Sequence, residues 1–217
     1  SDLPLNELAP RSDSVNGSAS AILVVFFTGD GGWAEVDKGV ATELANHGAA
    51  IVGFNTRAYI GKVHSPDRFA IDVERVMDHY MSAWNRHRVV LVGYSRGAEL
   101  APFAVTRLPA ELRSHVELLA LLGLSPGASF HFHFGDLFRN VVRPDDLPTI
   151  PELEKLRGMK MLCVYGKDEN VSGCRSAPAG LMTGVERPGG HHFDDNYKLL
   201  GQVILSTLTA ASPRRQR

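Results

Sequence analysis

Apolar, β-branched runs recur along this chain at 21–27 (AILVVFF), 49–54 (AAIVGF), 88–92 (RVVLV), 117–124 (ELLALLGL) and 159–165 (MKMLCVY), and helical patterns at 34–47, 66–84, 97–108 and 193–211 separate or follow them. Continuous apolarity suits strands that are covered on both faces. Residues 183–187 add a weaker sixth run. Strand and helix alternating in this way dictate an α/β architecture: a mostly parallel central sheet of about six strands with helices on both faces. With 217 residues, 44% of them hydrophobic, and a formal net charge of -1, the chain suits one domain with its own core. We place that domain at 18–212, with flexible termini at 1–17 and 213–217. The segment from Gly127 to Gly158 breaks the rhythm with FHFHFGDLF and a short amphipathic PELEKLRG, and reads as a small lid-like insertion over one end of the sheet.

The same features exclude several classes. No apolar run approaches the roughly 20 residues needed to cross a bilayer. Near-neutral charge, with basic residues clustered only in the closing RRQR, leaves no footprint for nucleic acid. The opening SDLPLNELAP starts mid-phrase, which leaves room for an export signal or an upstream domain ahead of it.

One corner of the chain carries chemistry. GYSRG, Gly93 to Gly97, places Ser95 between an apolar strand and a helical stretch, the context that turns G-x-S-x-G into a nucleophile elbow. The glycines are needed because the serine backbone is strained and a side chain on either flank would collide with the adjoining elements. The plainer reading is an ordinary turn with a solvated serine.

A nucleophilic serine needs a base, and the base an orienting acid, in the chain order serine, acid, histidine. GKDENVSG follows the strand MLCVY and offers Asp168 and Glu169; a spacing of three residues past Gly166 favours Glu169, although aspartate is the commoner acid. PGGHHFDDNY follows the next strand and offers His191 and His192. A histidine placed just before the aromatic that opens the last helix selects His192. The glycine-rich turn in FFTGDGGWAE would deliver backbone N–H groups toward the serine, with Asp30 and Arg96 as the oxyanion donors. It lacks the lysine followed by serine or threonine of a phosphate loop.

These parts point to an α/β-hydrolase fold. The stretches TGDGGWAEVDKGVATELANHG, VVLVGYSRGAELAPF, LLGLSP, LCVYGKDENVSGC and PGGHHFDDNY together resemble the bacterial virulence protein family of VirJ and the C-terminal domain of AcvB, over nearly the whole chain. The resemblance implies a periplasmic hydrolase that cleaves the aminoacyl ester of lysyl- or alanyl-phosphatidylglycerol at a membrane surface, with Ser95 as nucleophile and His192 as base. It leaves the acid divided between Asp168 and Glu169. Arg96 departs from the aromatic expected beside the serine. Secretion-system proteins are possible partners, and no cofactor or metal is required. The competing readings are a generic carboxylesterase or thioesterase and a non-catalytic periplasmic adaptor.

For substrate binding, Asp30 would meet an ammonium and Arg96 a phosphate. Gly29 and Trp33 are added from the same turn, with packing as the competing role for Trp33. Cys163 and Cys174, the chain's two cysteines, look like a disulfide closing the acid-bearing segment in an oxidising compartment; the alternative is two unrelated cysteines. A metal cluster drawn from His131, His133, His191, His192, Asp194 and Asp195 lacks the close spacing a metal site needs.

Overall fold

The computed structural model describes residues 2–9, 19–62, 65–131 and 143–210. In chain order the elements are β1 (Leu5–Leu8), β2 (Ile22–Phe27), α1 (Glu35–Asn46), β3 (Ala50–Phe54), α2 (Thr56–Ile60), α3 (Pro66–Ala83), β4 (Arg88–Tyr94), α4 (Arg96–Val105), α5 (Ala110–Ser114) and β5 (Val116–Leu122). The remainder comprises β6 (Gly127–Ala128), β7 (Leu147–Pro148), α6 (Thr149–Glu154), β8 (Met161–Gly166), α7 (Gly173–Ser176), β9 (Thr183–Arg187), a 3-10 turn (Phe193–Asp195) and α8 (Tyr197–Thr209).

Among the described residues seven strands form one sheet in the order β1-β3-β2-β4-β5-β8-β9. Every pairing is parallel except that of β1 with β3. Burial on both faces explains the unbroken apolarity of the inner strands. Along β2, Leu23, Val25 and Phe27 pack with residues of α3 and α4, whereas Ile22, Val24 and Phe26 pack with residues of α1 and α8. The sheet is therefore sandwiched between two helical layers, as the alternation required.

The topology also places the site. The chain leaves β2 for β3 on one side and later returns to lay β4 on the other side of β2, so the connections diverge between β2 and β4. In open parallel sheets such a divergence leaves a crevice at the carboxyl ends of the strands. The loops that open there are the glycine-rich turn after β2 and the serine elbow after β4.

Two expectations need correction. Residues 5–8 belong to the sheet rather than to a flexible terminus: Leu5, Asn6, Glu7 and Leu8 pair antiparallel with Phe54 through Ile51. A half-buried edge strand of four residues lacks the continuous apolarity that marked the others. The last helix begins at Tyr197, not 193, because Phe193, Asp194 and Asp195 all adopt positive φ, a hand that a right-handed helix cannot continue. In the segment expected as a lid, β6 pairs with β7 and α6 follows, while residues 132–142, including His133, lie outside the described residues. The short helices α2, α5 and α7 had no counterpart in the periodicity.

Candidate active site

The elbow is built as its glycines require. Ser95 adopts φ 52° and ψ -118° between β4 and α4, a conformation that costs a non-glycine residue about 1–3 kcal/mol. A Cβ at Gly93 would lie 2.5 Å from the carbonyl oxygen of Gly97, and one at Gly97 would lie 2.0 Å from that of Phe27. Both flanks must therefore be bare, and the strain is held by the Ser95 N–H donating to Leu122 O (2.9 Å).

The Oγ of Ser95 lies 2.8 Å from Nε2 of His191, and Nδ1 of the same ring lies 2.5 Å from Oε1 of Glu169. With the proton on Nδ1 donated to the carboxylate, Nε2 is left to accept from the serine hydroxyl. Glu169 is buried, and its second oxygen accepts from the Gly166 N–H (2.9 Å). Asp168 is exposed; its backbone N–H, not its carboxylate, is used, donating to Gly189 O (3.0 Å). Of the two acids left open by the sequence, the geometry selects Glu169.

His192 does not occupy the position expected of it. The ring is exposed, and its Nδ1 lies 3.1 Å from the hydroxyl of Tyr94. The neighbouring ring turns inward instead, because Gly123, at φ +64°, leaves the space: a Cβ there would come within 2.7 Å of Cε1 of His191. The left-handed turn at 193–195 ends the chain path that would have aimed His192 at the serine. Local sequence holds no signal to separate two adjacent histidines, since the deciding residue lies just past the end of β5.

The acid loop is fastened in two ways. Cys163 in β8 and Cys174 in α7 form a disulfide, as anticipated. Arg175, which sequence reasoning missed, donates from Nη1 to Glu169 O (2.5 Å) and from Nη2 to Lys167 O (2.7 Å), with its guanidinium 4.9 Å from the centroid of the Tyr165 ring. Its place beside Cys174 was the one available hint.

The turn after β2 is folded against the elbow. A Cβ at Gly29 would lie 3.3 Å from that of Ser95, and the N–H of Gly32 donates to Gly29 O (3.1 Å). Thr28 ties the base of the turn to α2, its Oγ1 accepting from the Thr56 N–H (3.1 Å). Behind the turn Asp37 is buried, with Oδ2 accepting from the Ala34 N–H (2.9 Å) and Oδ1 unpartnered. Burial pushes its carboxyl up to about 7, against the pull of the N–H groups of Ala34, Asp37 and Gly29. Tyr94, buried beside it, has its phenol pushed well above the usual range by desolvation.

Asp30 and Arg96 do not stand apart to receive a zwitterionic ligand. The Arg96 guanidinium, 6% exposed, donates from Nε and Nη2 to the two Asp30 oxygens (3.2 Å each) and from Nη1 to Glu99 (3.3 Å) and Ser129 O (3.2 Å). The planar fork, with donors on both edges, suits a bidentate carboxylate partner. These side chains bind one another, and so pin the glycine turn to the elbow. Trp33 packs edge-on against Phe26 and over Gly53, where a Cβ would collide with the indole at 2.4 Å. Among the described residues no group of three or more His, Cys, Asp or Glu side chains could hold a metal ion.

A family model described as bacterial virulence protein VirJ matches residues 21–212. The chain belongs to the VirJ family. Solved structures share its fold at low identity. An α/β serine hydrolase without a lid from Xanthomonas campestris is 15% identical, with 96% of this chain and 90% of that chain covered and a TM-score of 0.59. Est1E from Butyrivibrio proteoclasticus, with ferulic acid bound, is 14% identical over 94% and 93% of the two chains, at 0.63. Proline iminopeptidase from Mycobacterium smegmatis is 13% identical over 96% of each, at 0.66. No curated protein matches the sequence. This VirJ-family chain thus has the α/β-hydrolase fold, with Ser95, His191 and Glu169 brought together at the carboxyl ends of its strands.

Proposed function

We propose that this chain is a serine esterase that cleaves the aminoacyl ester of aminoacylated phosphatidylglycerol at a membrane surface in the periplasm. The observation that carries the reading is the hydrogen bond between Ser95 and His191, completed by Glu169, in a chain of the VirJ family. The Cys163–Cys174 disulfide suits an oxidising compartment. Among the described residues no helix is long and apolar enough to cross a membrane, so contact with the lipid would be made from its surface.

In the mechanism, Nε2 of His191 takes the proton of Ser95 as Oγ attacks the aminoacyl carbonyl carbon. The carbonyl electron pair moves to oxygen, where the backbone N–H groups of Arg96 and Asp30 are the donors we assign. Collapse breaks the bond to the glycerol oxygen, and His191 returns its proton to that leaving alcohol. Water, deprotonated by the same ring, then attacks the acyl-serine and releases the amino acid. Glu169 holds the imidazole in the required tautomer and stabilises the imidazolium.

Incubation with lysyl-, alanyl- and unmodified phosphatidylglycerol, reading released amino acid, tests the proposal. Release from one or both aminoacyl lipids, abolished by Ser95→Ala, is the expected result. Cleavage of small esters or thioesters alone would leave a generic esterase. Failure of a fluorophosphonate probe to label Ser95 would favour an adaptor without catalysis.

A further inference from the structure

The base of the relay is carried by a loop, whereas the nucleophile stands at the end of a central strand. His191 lies between β9 and the 3-10 turn, and Ser95 follows Tyr94, the last residue of β4. A loop residue keeps a catalytic geometry only where something rigid holds it. Gly123 leaves room for the imidazole, but room alone does not fix a ring in place.

Tyr94 supplies the hold. It pairs with Leu122 in the middle of the sheet and is 5% exposed. Its ring abuts the glycine turn, where a Cβ on Gly29 would lie 3.1 Å from Cδ1. The same ring lies against the imidazole of His191, with centroids 5.4 Å apart and planes inclined by 31°. Its hydroxyl donates to the main-chain oxygen of His191 (3.3 Å) and lies 3.1 Å from Nδ1 of His192. A phenol has one hydrogen to give, so both bonds form together when Nδ1 of His192 carries a hydrogen: that N–H donates to the phenol oxygen, and the O–H donates to the carbonyl. Burial pushes the phenol well above its usual range, so it keeps the hydrogen it donates.

We infer that Tyr94 is a positioning residue for the base: through the His191 carbonyl and by ring contact it ties the loop-borne imidazole to the strand that bears Ser95. The inference rests on the esterase reading and deepens it, because one strand end then sets both partners of the same proton transfer. Phenylalanine would fill nearly the same volume, so the role is decided by the hydroxyl. The second histidine also gains a place, since His192 braces that hydroxyl from the solvent side instead of taking the proton of the serine.

Tyr94→Phe removes the hydroxyl and keeps the ring, and two measurements on the full chain test the inference. In the first, fluorophosphonate labelling of Ser95 and kcat on p-nitrophenyl acetate should each fall about tenfold with KM nearly unchanged, the worth of one hydrogen bond lost from the reacting geometry. His192→Ala leaves the bond to the His191 carbonyl in place and should lose less on both. A Tyr94→Phe protein within about threefold of the parent, or no slower than His192→Ala, would overturn the inference. In the second, the proton between Nδ1 of His191 and Glu169 is followed as a far-downfield ¹H resonance. It should broaden or move upfield in Tyr94→Phe and persist in His192→Ala. An unchanged resonance in Tyr94→Phe, with only its urea unfolding midpoint lowered, would reduce the hydroxyl to a folding contact and overturn the inference as well. If the parent neither reacts with the probe nor cleaves any ester, the esterase reading fails, while the resonance still judges the hold on His191.

Discussion

The imidazole of His191 stands in the space that a side chain at residue 123 would fill, with Cε1 2.7 Å from an ideal Cβ built on Gly123. Gly123→Ala should therefore push the ring off the line between Ser95 and Glu169, and it also adds strain at φ +64°. We expect ester hydrolysis to fall by about 10²-fold or more, the usual cost of misplacing a catalytic group by an ångström. Far-ultraviolet circular dichroism should still report a folded sheet. An active Gly123→Ala protein would show that the ring finds its partners without this space.

The two adjacent histidines should separate cleanly. His191→Ala should remove general-base assistance and slow fluorophosphonate labelling of Ser95 by roughly 10²–10⁴-fold, whereas His192→Ala, which gives up a bond to Tyr94 at the surface, should stay within about threefold of the parent. For the acid, Glu169→Gln should cost far more than Asp168→Asn, because the Asp168 carboxylate is exposed and makes no contact with the imidazole. The reverse ranking in either pair would move the relay by one residue.

Asp30 and Arg96 are expected to act on every substrate alike. Arg96→Gln removes the guanidinium that binds both the part-buried Asp30 and the buried Glu99 carboxylates, a loss of about 3–5 kcal/mol in urea unfolding. Asp30→Asn should lower kcat on p-nitrophenyl acetate and on an aminoacyl lipid by similar factors, on the order of tenfold, since it loosens the turn rather than a contact to an ammonium. A loss confined to the cationic substrate would show that Asp30 leaves Arg96 to bind ligand.

Asp37 gives the fold a pH dependence of definite sign. Its carboxyl titrates near 7 in the native chain against 3.8 for the ordinary side chain, with burial as the main cause. Between these values the native state keeps a proton that the unfolded state has lost, so stability declines as pH rises from about 4 to about 7 and the full cost stands above that. Asp37→Asn keeps an oxygen for the Ala34 N–H and carries no charge. Its stability relative to the parent should improve by roughly 2–3 kcal/mol between about pH 5 and about pH 8. Parallel pH profiles in parent and variant would mean that the carboxylate is solvated in the folded chain.

Much of this molecule was legible in the sequence because the responsible physics is local or periodic. Unbroken apolar runs reported strands buried on both faces, their alternation with helices implied the parallel sheet, and GYSRG carried its own steric reason for bare flanks at Gly93 and Gly97. The spacing from Gly166 to Glu169 also survived, since a three-residue turn places that carboxylate over its own strand end. The edge strand Leu5–Leu8 was not legible, because four half-buried residues are too few to show a pattern. Nor was Arg175, whose partners are the backbone carbonyls of Lys167 and Glu169, brought beside it by the folded loop and not by any sequence pattern.

What only the tertiary structure decided is which of two neighbouring side chains faces the serine, and which way a charged one turns. His191 points inward because Gly123, 68 positions earlier, leaves room for its ring and because a left-handed turn at 193–195 carries the chain away beyond it. Arg96 turns toward Asp30, 66 positions away, because a guanidinium taken out of water must find its counter-charges inside the fold. Side-chain direction at a turn depends on backbone dihedrals and on vacant volume supplied by distant segments, and neither quantity is written in the residues that flank it.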